Sequence, residues 1–362
     1  MAVKKVNKRN LISNFAAIAI LIVFCIILQT NGKMLWNDIV SKILIFSIAA
    51  LSLNIVCGCL CEFALGHGGF LLIGYTVAVL VASTVHGWFD NDSYKEIIYS
   101  TKDGLHALGY LMITADVLIA AVVTGLIGFV VGLIALGRLK GDYLAIVTLG
   151  ISLIFVNICK NIDVLGGGQG IGINTKLGGS PLLYAICLVI VIFLIVTFMK
   201  SRFGRGILAC RDDNIASEAC GIPVNKYKVL AFTVSAFIAG LAGGLYSHYN
   251  AFQPIVFGQD LSIELLIIVV LGGLGSLTGS VIASIVIVVY NLWFCTRPWV
   301  PAFFKSNPKI IYGIVLVGIM LFRSSGILGT NEFTWDWFYE KIKKIWNKIL
   351  SVFKKKAPKE VE

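Results

Sequence analysis

The chain has 362 residues, of which 58% are hydrophobic and 14% charged, with a mean hydropathy of +0.89. Soluble domains run nearer ~45–50% apolar and ~25% charged, so this chain in water would have to wear a hydrophobic surface. That excludes soluble domains, disorder, a coiled coil and a secreted disulfide scaffold. The net charge of +11 gathers at the two ends and in linkers between apolar runs, which is how topology signals are placed and argues against a nucleic-acid partner.

A helix needs about 20 apolar residues to cross the hydrocarbon core. In chain order the spans expected are Leu11–Leu28, Ile39–Val56, Gly69–Val85, Leu111–Leu136, Tyr143–Cys159, Pro181–Met199, Val229–Tyr249, Leu277–Leu292 and Ile310–Phe322. The basic residues Lys4, Lys5, Lys8 and Arg9 before the first resemble a signal-peptide start, but no small-x-small cleavage site follows. It reads as a retained helix. A further apolar piece, Ile263–Leu271, is only about 14 Å long as a helix and cannot cross alone. The fold expected is therefore an all-α integral membrane protein with about ten membrane segments. Residues 1–10 form a cytoplasmic N-terminus, 11–322 the membrane domain, and 323–362 a basic, aromatic tail suited to the inner leaflet's lipid.

With the N-terminus inside, the inner segments hold 21 Lys and Arg and the outer segments eight, a positive-inside pattern. The alternation works only if the stretch from Ile263 to Leu292 begins and ends outside, as a hairpin broken at Gly272-Gly273-Leu274-Gly275. Non-helical backbone at membrane depth is tolerated only where protein buries it or it lines a polar pathway. A second cluster, Gly66-His67-Gly68-Gly69, matches the first weakly: Leu65-Gly66-x-x-Gly69 against Leu271-Gly272-x-x-Gly275. Paired glycine-broken segments are a transporter pattern, and tight helix packing uses glycine equally well.

The inner linker 200–228 carries the densest local signals. Asp212 or Asp213 can cap a short helix, Gly221 ends it and Pro223 prevents its continuation. Ile215, Ala219 and Ile222 form a narrow apolar stripe along it. Such a helix, held between two spans, is a lever for a soluble partner; the plainer reading is a basic linker on lipid headgroups.

These residues carry a family resemblance. Gly204-Arg205, Ala209, Arg211, Asp213, Ala216, Gly221 and Ile222 fit the cytoplasmic coupling loop of high-affinity branched-chain amino acid permeases, and Glu218-Ala219-Cys220-Gly221 keeps part of the wider ABC importer pattern. Leu65–Phe70, Leu139–Gly150 (with Lys140-Gly141-Asp142-Tyr143) and Ser262–Gly279 resemble the same family in its M-type, LivM-like branch. The outer loop Gly166–Gly172 departs from the family's usual threonine-glycine-glycine pattern.

The resemblance implies a permease subunit in a bacterial cytoplasmic membrane. It would pair with a homologous H-type permease, be driven by two cytoplasmic ATPases that carry ATP and magnesium, and receive leucine, isoleucine or valine from an extracytoplasmic binding protein. It implies an ATPase-coupling role for Arg205, Arg211, Asp213, Ala216, Glu218, Ala219 and Gly221. Urea, a nucleoside or another small polar solute remains an alternative cargo. A secondary transporter or channel is the alternative of another class, disfavoured by the few intramembrane charges.

No catalytic constellation and no Walker A motif occurs, so the chain is not expected to be an enzyme or to bind a cofactor itself. Nine cysteines form no CxxC pair, and Cys57, Cys59 and Cys61 have no histidines in ligand spacing, so no metal is expected. Glu264, read as sitting in the first turn of a helix capped by Ser262, and His67, read as a donor to neighbouring backbone, complete the charged candidates, with Asp116 near an outer helix end. The substrate path is expected at Gly66, His67, Gly68, Gly69, Glu264, Gly272, Gly273 and Gly275, where broken helices offer backbone groups to a zwitterion.

Overall fold

The computed structural model describes residues 21–29, 34–88, 103–137, 141–162, 180–249 and 254–294, and a few positions beyond (297, 313, 314, 317, 318 and 321). Most of Leu11–Leu28 and Ile310–Phe322, the tail 323–362, Lys140 and the outer loop Gly166–Gly172 lie outside them. The described residues are helical and contain no strand. After α1 (residues 21–29) come α2 (Met34–Asn54), α3 (His67–Trp88), α4 (Asp103–Ala135), α5 (Asp142–Lys160) and α6 (Pro181–Lys200). Two short helices follow, α7 (Arg202–Asp212) and α8 (Asn214–Ala219), then α9 (Val224–Tyr249), α10 (Gln259–Gly272) and α11 (Leu277–Val289).

Five stretches among these are long and apolar enough to cross a membrane: Leu35–Cys59, Tyr110–Ala135, Tyr143–Lys160, Pro181–Lys200 and Val224–Tyr249. His67–Ala82 and Leu277–Trp293 are shorter apolar helices. The outward faces are as greasy as the inward ones. Leu118, Val122, Leu126 and Phe129 on α4, and Ile186, Ile190 and Phe193 on α6, are all exposed. Helices that are apolar all round belong in lipid or in a larger membrane assembly.

The bundle is organised on α9, which packs against α2, α3 and α4, while α6, α10 and α11 pack against α2 and α5 packs against α3. Lipid is as apolar as leucine, so close packing rather than water exclusion must hold such helices together. Small residues make that possible. Gly128 of α4 faces Ala236 of α9, and Gly240 of α9 sits against Thr124 and Ala120 of α4 and under Gly74 of α3. The small-residue stripes at 128/132 and 236/240/244 are thus packing faces, as their spacing predicts. A Cβ on Gly240 would lie 2.5 Å from the Thr124 Cβ. Gly240→Leu is expected to push α4 off α9, costing at least the ~1–3 kcal/mol of an overpacked core. The measurement is the yield of monodisperse subunit in detergent, which should collapse; a wild-type yield would contradict this packing.

The broken hairpin is present. Gly272 meets Gly279 back to back across the break, and Asn291 donates to the Glu264 carboxylate at 2.9 Å. Pairs 272/279 and 264/291 define two antiparallel arms with their apex at 273–276. Gly273 and Gly275 both adopt positive φ, +116° and +87°, which a side chain resists. The start of the first arm differs from the one expected. The first arm starts at Gln259 with Gly258 before it, so Ser262 is not its cap and Glu264 stands beyond its first turn. Asp260 takes the acidic first-turn position instead, where the helix dipole favours it.

Candidate functional site

The site is built from two helix breaks and the α7–α8 segment. The first break begins where α2 ends. Beyond Asn54 the ladder widens into a π turn over Ile55–Cys59, with Leu60 N–H donating to the Ile55 carbonyl at 3.1 Å. Cys61 then takes φ +57°, unusual for a residue with a side chain, and extended chain leads to α3 at His67. Local π turns of this kind concentrate at functional sites.

The glycines of this break are packed. A Cβ on Gly66 would strike the Thr148 carbonyl at 2.5 Å, one on Gly68 the Phe257 carbonyl at 2.5 Å, and one on Gly69 the Ser152 Cα at 2.7 Å. Thr148 also accepts the Leu65 N–H at 3.1 Å, and Ser262 accepts the Gly68 N–H at 3.0 Å. Hence the Leu65–Phe70 block, the α5 block and the start of α10 meet in space. Ser262 has a role here, as the residue that ties Gly68 to α10.

His67 is buried, with its Nε2 2.7 Å from the Ser235 hydroxyl. Ser235 spends its only proton on the Ser52 carbonyl at 2.6 Å, so His67 must be the donor. The acceptor is therefore a side chain of α9, with the backbone of α2 one step further on. Asp116 is likewise buried and faces His248 across α4 and α9 at 4.0 Å.

Asn54 escapes a motif search and proves central. Its Nδ2 donates to the Ser276 carbonyl at 2.9 Å and lies 3.1 Å from the Ser280 hydroxyl, while its Oδ1 accepts the Gly275 N–H at 2.9 Å. Both halves of one amide thus hold the hairpin apex. Glu62, in the first break, pairs with Lys228 of α9 at 2.5 Å, with both side chains nearly buried. The partners in these contacts are 166 and 221–226 residues apart, so nothing local in the sequence signals them.

The linker folds as two helices. Ser201 caps α7, accepting from the N–H groups of Phe203 and Gly204, and Gly206 packs under the Tyr227 ring. Gly204, Gly206, Ile207 and Cys210 are buried, giving α7 an inward face that the charge pattern of the linker does not signal. Burial pushes the Cys210 thiol up, with Lys228 pulling weakly against it, so this cysteine is a packing residue.

α8 is capped by Asp213, whose Oδ1 accepts from Ile215 at 2.8 Å and Ala216 at 3.2 Å. It stops at Gly221, φ +79°, with Ile222 N–H bonded to the Ser217 carbonyl and Gly221 N–H to that of Glu218. That is a Schellman stop. Ser217 alone in α8 is buried; Ala216, Glu218, Ala219 and Gly221 are exposed, and Ile215 is 81% exposed. Arg205 is exposed and donates to the Lys200 carbonyl at 3.2 Å, whereas Arg211 is half-buried beside the hairpin apex. Among the described residues no three His, Cys, Asp or Glu side chains gather to hold a metal ion.

An apolar-faced helical bundle with two interrupted helices and a capped helix left bare at one end defines a polytopic membrane transport subunit. Residues 35–322 match the family described as branched-chain amino acid transport system / permease component, and the chain belongs to that family. It is 30% identical over 327 residues to the high-affinity branched-chain amino acid transport system permease protein LivM of Salmonella typhimurium, covering 80% of this chain and 69% of that protein. The probable branched-chain amino acid transport permease protein LivM of Methanocaldococcus jannaschii is 26% identical over 337 residues, 80% of this chain and 93% of that one. The autoinducer 2 import system permease protein LsrC of Escherichia coli O9:H4 is 26% identical over 167 residues, 42% and 47% of the two chains. No solved structure matches the chain.

Proposed function

We propose that this chain is one permease subunit of an ATP-driven importer and carries leucine, isoleucine or valine across the bacterial cytoplasmic membrane. It would work beside an H-type permease, two cytoplasmic ATPases with ATP and magnesium, and an extracytoplasmic binding protein. The observation that carries the reading is α8: a capped, glycine-stopped helix whose apolar Ile215 is bare, inside a family of importer permeases. Arg205, Arg211, Asp213, Ala216, Glu218, Ala219 and Gly221 are its coupling residues. ATP-driven closure would act by favouring one of two permease states through differential contact with this segment. The likeness to LsrC favours other small polar solutes as the second reading of the cargo.

The substrate path is proposed to pass the two breaks, where a zwitterion can use backbone groups in place of scarce side-chain charge. The packing of Gly69 makes a leucine there a test of assembly. A Cβ on Gly275 would have its nearest neighbour 3.4 Å away, but φ +87° strains any side chain there, so a substitution at either glycine is read with assembly measured beside uptake.

About ten segments with the linker inside remain the proposed topology. Native Cys220 is exposed one residue beyond α8 and reports on both points. In a variant keeping only Cys220, an impermeant maleimide should label inverted vesicles and not intact cells, and adding the ATPases should protect it. Labelling from outside would overturn the topology, and unprotected labelling in a saturated complex would overturn the docking role. Purification in mild detergent should bring down two ATPases and a second permease; a pure, active single subunit would contradict the reading.

A further inference from the structure

The importer reading leaves open how a push on α7 and α8 reaches the membrane part of the subunit. Three contacts close that gap. Arg211, at the end of α7, reaches the hairpin apex: its Nη1 lies 3.8 Å from where a Cβ on Gly275 would sit. Lys228, the fifth residue of α9 and nine residues beyond the end of α8, is paired with Glu62 in the first break. Asn54, the last residue of α2 before the first break, bonds Gly275, Ser276 and Ser280 of the hairpin through its amide. The fit there is tight, since a Cβ on Gly58 would collide with both Asn54 Oδ1 and Gly275 N.

We propose that Asn54 is a positioning residue that yokes the two helix breaks into one moving unit, on which the α7–α8 segment acts through Arg211 at one break and Lys228 at the other. The chemistry suits the task. A neutral amide offers a donor and an acceptor at once, so it holds a carbonyl and an N–H of the same irregular turn without burying a charge. Ser276 also caps α11 by accepting the Gly279 N–H at 3.1 Å, so a shift of the apex carries α11 with it. Without the yoke, motion of α7–α8 would tilt the apex and leave the π turn and α2 behind.

This inference rests on the importer reading, and its test is the reconstituted complex of this chain with its second permease, ATPases and binding protein. Asn54→Leu removes all three bonds at similar volume. The expected result is an assembled complex that hydrolyses ATP while amino-acid uptake per ATP falls tenfold or more. On a background with Cys61 and Cys220 replaced by serine, Leu274→Cys at the apex should change its thiol-labelling rate with nucleotide, and Asn54→Leu should abolish that change. Where Asn54→Leu does not assemble, Asn54→Ala is read instead. It removes donor and acceptor alike without adding bulk or a buried charge, and should assemble with the same uncoupling. Uptake per ATP within twofold of wild type in an assembled variant overturns the yoke. So does loss of assembly in both variants, because Asn54 would then be a folding residue. A wild-type complex without ATP-driven uptake overturns the importer reading and the yoke together, whereas a coupled wild type beside an equally coupled variant overturns the yoke alone.

Discussion

Ile215→Asp is expected to leave the subunit folded and to weaken ATPase docking by about 30- to 1,000-fold, the loss of ~2–4 kcal/mol typical of a central interface anchor. The first half rests on exposure and the second on the proposed docking role of the bare face. At 81% exposed, Ile215 contributes almost nothing to the fold, so its removal should change stability by no more than ~0.5 kcal/mol. Glu218→Lys, also on the bare face, should behave alike. Gly221→Val tests the stop: nothing lies within 4 Å of a Cβ there, so the cost is the backbone strain of φ +79°, about 1–3 kcal/mol, confined to the end of α8. Thermal unfolding of the purified subunit beside ATPase binding separates the effects. Full docking by Ile215→Asp and Glu218→Lys would mean that α8 is not the docking helix.

Lys228→Ala is expected to be the most destabilising single change near the site. Glu62 would be left nearly buried without its cation, and breaking a buried pair in this way costs about 3–5 kcal/mol. Replacing both partners with apolar residues of similar size, Glu62→Leu with Lys228→Met, removes the buried charges together and should restore most of the stability. If the pair only holds the fold, the double variant should transport normally. If it links the linker to the first break, the double variant should be stable and poorly coupled. Unfolding temperature read beside uptake per ATP tells these apart, and a single Lys228→Ala variant as stable as wild type would contradict the burial of the pair.

What could be read from the sequence follows from which signals are local. Hydropathy is summed over a window, so the spans that the structure describes fall where they were expected; α9, for example, runs Val224–Tyr249 against an expected Val229–Tyr249. The two ends of α8 were legible because Asp213 at its start and Gly221 past its end act on their own neighbours, and the hairpin because four consecutive residues carry three glycines. Ser262 was misread because a serine before an acidic residue looks like a cap, while the chain had already turned helical at Gln259. α7 was missed for the opposite reason. Its buried set, Gly204, Gly206, Ile207 and Cys210, includes two glycines that a hydrophobic pattern does not score. Asn54, the Glu62–Lys228 pair and the His67–Ser235–Ser52 chain were beyond reach. Each joins elements far apart in sequence, and an asparagine at a helix end looks the same whether it meets water or a glycine turn.

The proposed ATP-driven import of a branched-chain amino acid is tested by uptake of radiolabelled leucine into proteoliposomes holding the full complex, with binding protein outside and ATP enclosed on the ATPase face. Leucine is expected to accumulate against a gradient in a manner that requires ATP and binding protein, is competed by isoleucine and valine, and is unaffected by collapsing the proton gradient. Leucine accumulation that persists without ATP, or that disappears with the proton gradient while ATP hydrolysis continues, would contradict it.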